Sequence, residues 1–178
     1  VEAGTGVGKS LAYLLPAILA GEPVVLSTGT KALQEQLYLK DAPLAQAILG
    51  RPVRVALLKG RTNYLCLLAQ EQARVDPDLR LLERDWLERL EVWSTETESG
   101  DRAELDDLPD DARVWRAVST GAEGCAGQRC RFFDGCFVMR ARRAAAAADV
   151  VIVNHHLFFA DLGLRDTAGF SLLPPSRV

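Results

Sequence analysis

The sequence predicts an α/β protein whose parallel sheet is interrupted by a mainly helical insert. Short apolar strands alternate with helical segments near both ends of the chain, which is the pattern of βαβ units and a parallel sheet. Between them lies a stretch with helical periodicity that contains all four cysteines. At roughly 90 residues, this stretch has the length of a small domain.

The composition is that of a soluble globular protein with a hydrophobic core. Of the 178 residues, 48% are apolar and 25% are charged. The chain contains no run of about 18 uninterrupted apolar residues, so no membrane span is predicted. Residues 1–4 contain neither an initiator Met nor a basic leader, and they do not resemble a signal peptide. We therefore expect a cytoplasmic protein and a chain taken from the middle of a longer one.

The first 58 residues alternate between strand and helix. A strand end at 1–3 leads into a glycine-rich turn and then a helix over 9–19, which Gly21-Glu22-Pro23 ends. The apolar run 23–27 predicts a buried strand, 30–37 a helix, and 52–58 another strand.

The middle of the chain is helical. We predict helices over 64–75 and 79–93, broken at Asp76-Pro77-Asp78, and two more near 110–118 and over 141–148. Trp86 and Trp93 recur at helical spacing, so they are interpreted as core residues. The acid-rich stretch 96–111 is interpreted as a solvated surface loop.

The α/β pattern returns at Asp149. Residues 150–153 are β-branched and apolar, which predicts a buried strand, and a helix is expected to follow through Leu162. The intervening His155 and His156 are interpreted as a structural turn, because a metal would need further ligands on the same face.

Residues 3–10 match a phosphate-binding P-loop, with Ala3 in place of the usual first glycine: Ala3-Gly4-Thr5-Gly6-Val7-Gly8-Lys9-Ser10. Glycines let the backbone N–H groups turn inward around phosphates, and the following helix adds its positive N-terminal end. In this motif Lys9 reaches the β- and γ-phosphates of ATP and the Ser10 hydroxyl binds Mg²⁺. No apolar strand ending in paired acids, the other half of such a site, is found in the chain.

Charge is distributed unevenly along the chain. The net charge of −3 argues against a general nucleic-acid binder. Residues 113–143, however, contain seven arginines against two acids, so this segment could face a phosphate backbone.

Four cysteines form the second candidate site. Cys125, Cys130 and Cys136 lie close together, whereas Cys66 lies far upstream. Their spacing differs from the tight pairs of zinc fingers, and four thiolates are the usual complement of an iron–sulfur cluster. From spacing alone a zinc site, or four unrelated buried thiols, also remain open.

Together these residues resemble the DinG/YoaA branch of the XPD-like iron–sulfur helicases of superfamily 2. The segments that carry the resemblance are 2–10, 27–37, 59–66, the three close cysteines and 148–157. In the family, the segment that resembles 27–37 touches single-stranded DNA, and the one that resembles 59–66 leads into the cluster domain.

The resemblance implies ATP-driven 5′→3′ unwinding of DNA in repair or fork maintenance, with single-stranded DNA and DNA junctions as partners. It implies a [4Fe–4S] cluster on Cys66, Cys125, Cys130 and Cys136. For Thr28 and Thr30 it favours phosphate contact over simple helix capping. For Lys59 and Arg61, DNA contact and plain surface charge remain equal alternatives.

The resulting assignment has three parts. Residues 1–59 begin a P-loop (RecA-like) motor domain, 60–148 form the iron–sulfur insert, and 149–178 return to the motor domain, which is incomplete. Because the acidic box and the second motor domain are absent, we expect the isolated chain not to hydrolyse ATP efficiently. Two alternatives are another P-loop enzyme with a structural zinc insert and a metal-binding module that keeps only a broken P-loop.

Overall fold

The protein is described here from a computed structural model, over residues 8–109, 111–169 and 171–175. The chain divides into two compact units. The first comprises the described parts of Val1–Lys59 and Arg142–Val178, and the second is Gly60–Ala141. No helix in these ranges is long and apolar enough to cross a membrane.

A three-stranded parallel sheet forms the centre of the first unit. Its strands are β1 (Val24–Thr28), β2 (Val55–Leu57) and β3 (Val150–Asn154), in the order β1-β3-β2. Val150 pairs with Val24 on one side and with Val55 on the other. The predicted α/β class with a parallel sheet is confirmed, whereas the strand expected at 1–3 lies outside the described residues. The central strand is apolar because both its faces are covered.

Helices pack around this sheet: α1 (Lys9–Leu19), α2 (Lys31–Gln36), α3 (Ala42–Leu49) and α9 (His155–Ala168). A π-helical turn, Leu37–Asp41, joins α2 to α3. The core of the unit combines Leu14 and Ile18 of α1 with Leu37, Ala45 and the inward side chains of β3. Each such aliphatic side chain contributes roughly 1.5–3 kcal/mol when fully buried.

The second unit is helical, with α4 (Leu67–Ala73), α5 (Pro77–Leu82), α6 (Arg84–Glu96), α7 (Arg113–Val118) and the start of α8 (Phe137–Ala146). The single helix predicted over 79–93 is instead two helices that meet at Glu83. The predicted break is present: the Asp76 carboxylate accepts the N–H groups of Asp78 and Leu79 and so caps α5. Trp86 and Trp93 are partly buried against the core, as expected.

The acid-rich stretch lies at the surface of the second unit, as expected, and its exposed acids are Glu96, Glu98, Glu104, Asp106, Asp107 and Asp111. Leu105 and Leu108 are buried in the core. The Glu104 carboxylate accepts hydrogen bonds from the Trp93 indole, at 3.1 Å, and from the Thr97 hydroxyl, at 2.7 Å. The charge content correctly predicted the exposure of the acids, but it did not predict the two buried leucines or the hydrogen bonds of Glu104.

Candidate functional site

The phosphate loop is described only from its last glycine onward. Gly8 has φ +78°, a left-handed conformation that glycine adopts without strain, and α1 begins immediately after it with Lys9 and Ser10. Lys9 is exposed and Ser10 half-buried. Ala3, Gly4, Thr5, Gly6 and Val7 lie outside the described residues, so their role in the cradle remains a prediction. The described part provides a helix N-terminus with a lysine and a hydroxyl beside it, the groups a nucleotide phosphate and Mg²⁺ require.

The loop after β1 contains Thr28 and Thr30, which make local hydrogen bonds. The buried Thr28 hydroxyl donates to the Thr30 carbonyl at 3.2 Å. The Thr30 side chain accepts the Leu33 N–H at 3.2 Å and so caps α2. Both hydroxyls therefore shape the loop, and contact with DNA phosphate remains a prediction for them.

His155 holds the same loop from the other side. Its Nδ1 lies 2.7 Å from the Ser27 hydroxyl at the end of β1, and its ring lies beside Gly29, 3.7 Å from where a Cβ would stand. Asn154 caps α9 by accepting the Leu157 N–H at 2.8 Å, which orients this first turn. The sequence interpretation of a structural turn did not identify Ser27 as the partner, which is 128 residues away.

Lys59 is buried, with only 3% of its side chain exposed, and its ammonium lies 3.3 Å from the Glu35 carboxylate of α2. A buried charge requires such a partner, because leaving it unpaired is costly. Neither this burial nor the role of Glu35 was expected from the sequence. DNA contact by Lys59 remains a prediction, and it would have to involve a side chain already engaged inside the first unit.

The four cysteines all belong to the second unit, and each is a free, partly buried thiol. Cys66 directly precedes α4 as its N-cap residue, and its N–H donates to the Val118 carbonyl at 2.8 Å. Cys130 follows a short 3-10 turn (Gly127–Arg129), and Cys136 directly precedes α8. The fold therefore presents the distant Cys66 and the close trio from the same unit.

The surroundings of the Cys66 thiol change its pKa. Burial is the largest cause that raises the pKa of the Cys66 thiol. Backbone N–H groups at the start of α4 lower this pKa, and the charges of Cys136 and Cys130 raise it again. Two of the three close cysteines, Cys130 and Cys136, therefore affect the pKa of Cys66.

Arg61 lies beside the third member of the trio. Its guanidinium donates a hydrogen bond to the Cys125 sulfur at 3.0 Å. Arg61 had been predicted as a DNA or surface residue, and its position at a cysteine was not expected. Whether it also touches DNA remains a prediction.

The donor chemistry suits a thiolate-bound metal or cluster. Four thiols from one unit match the ligand count of both iron–sulfur and zinc sites, and a cation stands at one sulfur. Within the described residues, however, no group of three or more His, Cys, Asp and Glu side chains is arranged to hold a metal ion. Both an iron–sulfur cluster and a zinc ion therefore remain candidates for the group that the four cysteines bind.

The arginine-rich segment is partly paired. Arg131 forms an ion pair with Glu71 of α4, and Arg140 donates to the Glu98 carbonyl. Arg113 and Arg116 of α7 are exposed, and so is Arg129 of the segment 125–136, which we call the cysteine loop. These three are the members best able to meet a phosphate backbone.

No protein-family model matches the chain. It is 43% identical over 179 residues to the ATP-dependent DNA helicase YoaA of Escherichia coli, an alignment that covers the whole chain and 28% of that relative. It is 43% identical over 203 residues to the ATP-dependent helicase DinG of Mycobacterium tuberculosis, covering the whole chain and 30% of the relative.

A further relative has a different named activity. The chain is 37% identical over 168 residues to a protein of Bacillus subtilis named 3'-5' exonuclease DinG, covering 92% of the chain and 18% of the relative. The chain thus spans less than a third of the length of each of these relatives.

Proposed function

We propose that this chain forms the ATP-binding segment of an ATP-dependent DNA helicase. Its similarity over the whole chain to YoaA and DinG helicases confirms the predicted resemblance. The observation that carries this proposal is the 43% identity to YoaA over the whole chain. The fold supports it, because Lys9 and Ser10 open a helix beside a parallel sheet, as the P-loop requires.

In this proposal residues 3–10 bind the nucleotide. The backbone of Ala3 to Gly8 cradles the phosphates, Lys9 offsets their negative charge, and Ser10 binds Mg²⁺. Residues 1–59 and 149–178 belong to a RecA-like motor domain, and 60–148 form its insert. The parallel pairing of β1 and β2 with β3 supports one motor domain on both sides of the insert, because these strands share one sheet. The compact units divide at the proposed boundary after Lys59, whereas the second unit ends at Ala141, before the proposed boundary at 148.

We propose that the helicase binds single-stranded DNA and moves along it in the 5′→3′ direction. Its proposed substrates are DNA junctions that arise in repair. The Thr28–Thr30 loop supports this, since it exposes the N-cap of α2 at the end of a strand. Exposed arginines of the second unit supply positive charge for the phosphate backbone. Lys59 and Arg61 are further proposed DNA contacts, although Lys59 is paired with Glu35 and Arg61 donates to Cys125.

A [4Fe–4S] cluster on Cys66, Cys125, Cys130 and Cys136 is the proposed cofactor of the insert. The effect of Cys130 and Cys136 on the pKa of Cys66 and the guanidinium at Cys125 support it. When bound, the cluster would supply a rigid cross-link that ties the start of α4 to the cysteine loop. The protein's part is to bring the four thiols together and shield them.

The helicase proposal is tested on a protein that spans the full length of the relatives. DNA-stimulated ATP hydrolysis and unwinding of duplexes with a 5′ or a 3′ single-stranded tail should be measured together. Lys9→Ala should reduce hydrolysis by about 100-fold or more, the typical effect of removing one transition-state charge contact. Lys40→Ala, which removes another exposed lysine charge of the same unit, is the control. Normal hydrolysis in Lys9→Ala would refute the nucleotide site, and unwinding only from a 3′ tail would refute the polarity.

The cofactor proposal has its own test. Protein purified without oxygen should be brown and contain iron and sulfide, and Cys66→Ser should lose most of the iron while still binding ATP. Stoichiometric zinc in the unmodified protein would replace the cluster by the zinc alternative. Full iron occupancy in Cys66→Ser would remove Cys66 from the ligand set.

A further inference from the structure

A short segment of the acid-rich stretch, Glu98–Asp101, lies between the two elements that carry Cys66 and Cys136. We refer to these four residues as the clasp. On one side the Leu65 N–H donates to the Gly100 carbonyl at 2.9 Å, and Asp101 forms an antiparallel bridge with Tyr64. Both contacts are made by the residues that immediately precede Cys66.

On its other side the clasp meets the start of α8. Gly100 packs directly on the Phe137 ring: a Cβ added at Gly100 would stand 2.3 Å from the ring carbon Cγ. Arg140, one turn further along α8, donates to the Glu98 carbonyl, and its guanidinium lies 5.2 Å from the centre of the Phe137 ring. Phe137 is the residue that immediately follows Cys136.

Local hydrogen bonds hold the shape of the clasp. The Gly100 N–H donates to the Thr97 hydroxyl at 2.8 Å, and the Asp101 N–H to the Ser99 hydroxyl at 2.9 Å. Both hydroxyls donate in turn to the Glu104 carboxylate. Gly100 has φ +62°, so both its conformation and its closeness to Phe137 require glycine.

We propose that the clasp, through Gly100, sets the distance between the Cys66 and Cys136 thiols and so positions these two ligands for the metal. The proposal rests on the proposed cofactor site in that it takes both cysteines as ligands. A side chain at position 100 would push Phe137, and Cys136 with it, away from the start of α4, because packed interiors have no room for an added methyl.

The matched control is a glycine that has the same φ but open space where a Cβ would stand. Gly50 has φ +62°, and nothing lies within 4 Å of a Cβ built on it. Gly50→Ala therefore carries the backbone strain of Gly100→Ala without the collision. A second variant, Phe137→Ala, removes the ring atoms that the new methyl would meet, so Gly100→Ala combined with Phe137→Ala should relieve the effect.

The first measurement is the rate at which an iron chelator removes iron from the protein at a temperature below its unfolding transition. The protein spans the full length of the relatives, and circular dichroism verifies that each variant is folded. Gly100→Ala should release iron about tenfold faster than the unmodified protein, the effect of a modest overpacking. Gly50→Ala should match the unmodified protein, and the double variant should match Phe137→Ala. Equal release from Gly100→Ala and Gly50→Ala would overturn the proposal.

The second measurement does not depend on any metal. In a background with Cys125→Ser and Cys130→Ser, the rate of disulfide formation between Cys66 and Cys136 on addition of diamide reports their proximity. Gly100→Ala should slow this reaction relative to Gly50→Ala. If the unmodified protein holds no metal but the reaction is slowed, the cofactor proposal fails and the clasp stands. If iron is present and neither rate changes, the clasp fails and the cofactor proposal stands.

Discussion

The Arg61 guanidinium donates a hydrogen bond to the Cys125 sulfur across 3.0 Å. Arg61 lies five positions before Cys66, so one short segment contributes both a thiol and the cation that faces another thiol. This arrangement gives Arg61 a function inside the second unit that does not require DNA. An Arg61 variant could therefore lose activity either through the cysteine site or through a lost DNA contact, and an activity assay alone would not distinguish these two causes.

Removing the Arg61 guanidinium should change the reduction potential of the proposed cluster. A hydrogen bond to a ligand sulfur stabilises the added negative charge of the reduced state. Arg61→Met should therefore lower the midpoint potential by about 60 mV, the equivalent of a charged hydrogen bond in a one-electron couple. Arg61→Lys should recover part of the shift, as measured by redox titration of the anaerobic protein.

The same variants test the predicted DNA contact of Arg61. Loss of one phosphate contact reduces the salt dependence of DNA binding by about one unit of slope. An unchanged potential together with a reduced slope in Arg61→Met would place this side chain on DNA instead of on Cys125.

His155 and His156 offer a matched pair for the loop after β1. His155→Ala removes the partner of Ser27 and should weaken binding of single-stranded DNA by about two- to tenfold, the value of one hydrogen bond. His156 is exposed on the same helical turn, and His156→Ala should leave binding unchanged. The measurement is fluorescence anisotropy with a labelled oligonucleotide in the absence of ATP. Equal effects of the two substitutions would show that the Ser27 contact does not order the loop.

The pair of Arg54 and Asp149 should make stability depend on pH in the acid range. The hydrogen bond from the Arg54 guanidinium, at 2.7 Å, holds the pKa of Asp149 below its ordinary value of 3.8. A carboxylate with a lowered folded-state pKa stabilises the protein above that ordinary value, and this stabilisation is lost as the pH falls through the folded pKa.

Thermal unfolding of Asp149→Asn and of the unmodified protein should therefore differ at neutral pH and converge as the pH falls below 3.8 and through the lowered folded-state pKa of Asp149. The difference should be small, since both side chains are largely exposed. A difference that persists unchanged at the acid end would show that the effect does not depend on the charge of Asp149.

The buried Lys59 should make Glu35 important for stability. Glu35→Gln leaves the ammonium facing a neutral amide, and we expect a loss of about 1–2 kcal/mol in urea unfolding, reduced from the value of a fully buried pair because Glu35 is partly exposed. Lys59→Met combined with Glu35→Gln should recover most of this loss, because the buried charge is gone. A double variant no more stable than Glu35→Gln alone would show that Lys59 contributes chiefly through other contacts.

Local structure was predictable because it depends on neighbours in sequence. The helix over 9–19 begins and ends where its glycines and apolar spacing indicated, and the β-branched run at 150–153 is the buried strand β3. The break at Asp76 was also predictable, since a carboxylate followed by Pro caps a helix through atoms only two and three residues away. The homology likewise followed from motifs written contiguously in the chain.

Tertiary structure alone decided which distant residues meet. Nothing in the spacing of the strands places β3 between β1 and β2, or joins Ser27 to His155. The burial of Lys59, the guanidinium at Cys125 and the packing of Gly100 on Phe137 likewise bring together residues far apart in the chain. A periodic pattern states that a side chain is apolar or charged, but its partner is selected by how whole elements pack to fill space and satisfy buried polar groups.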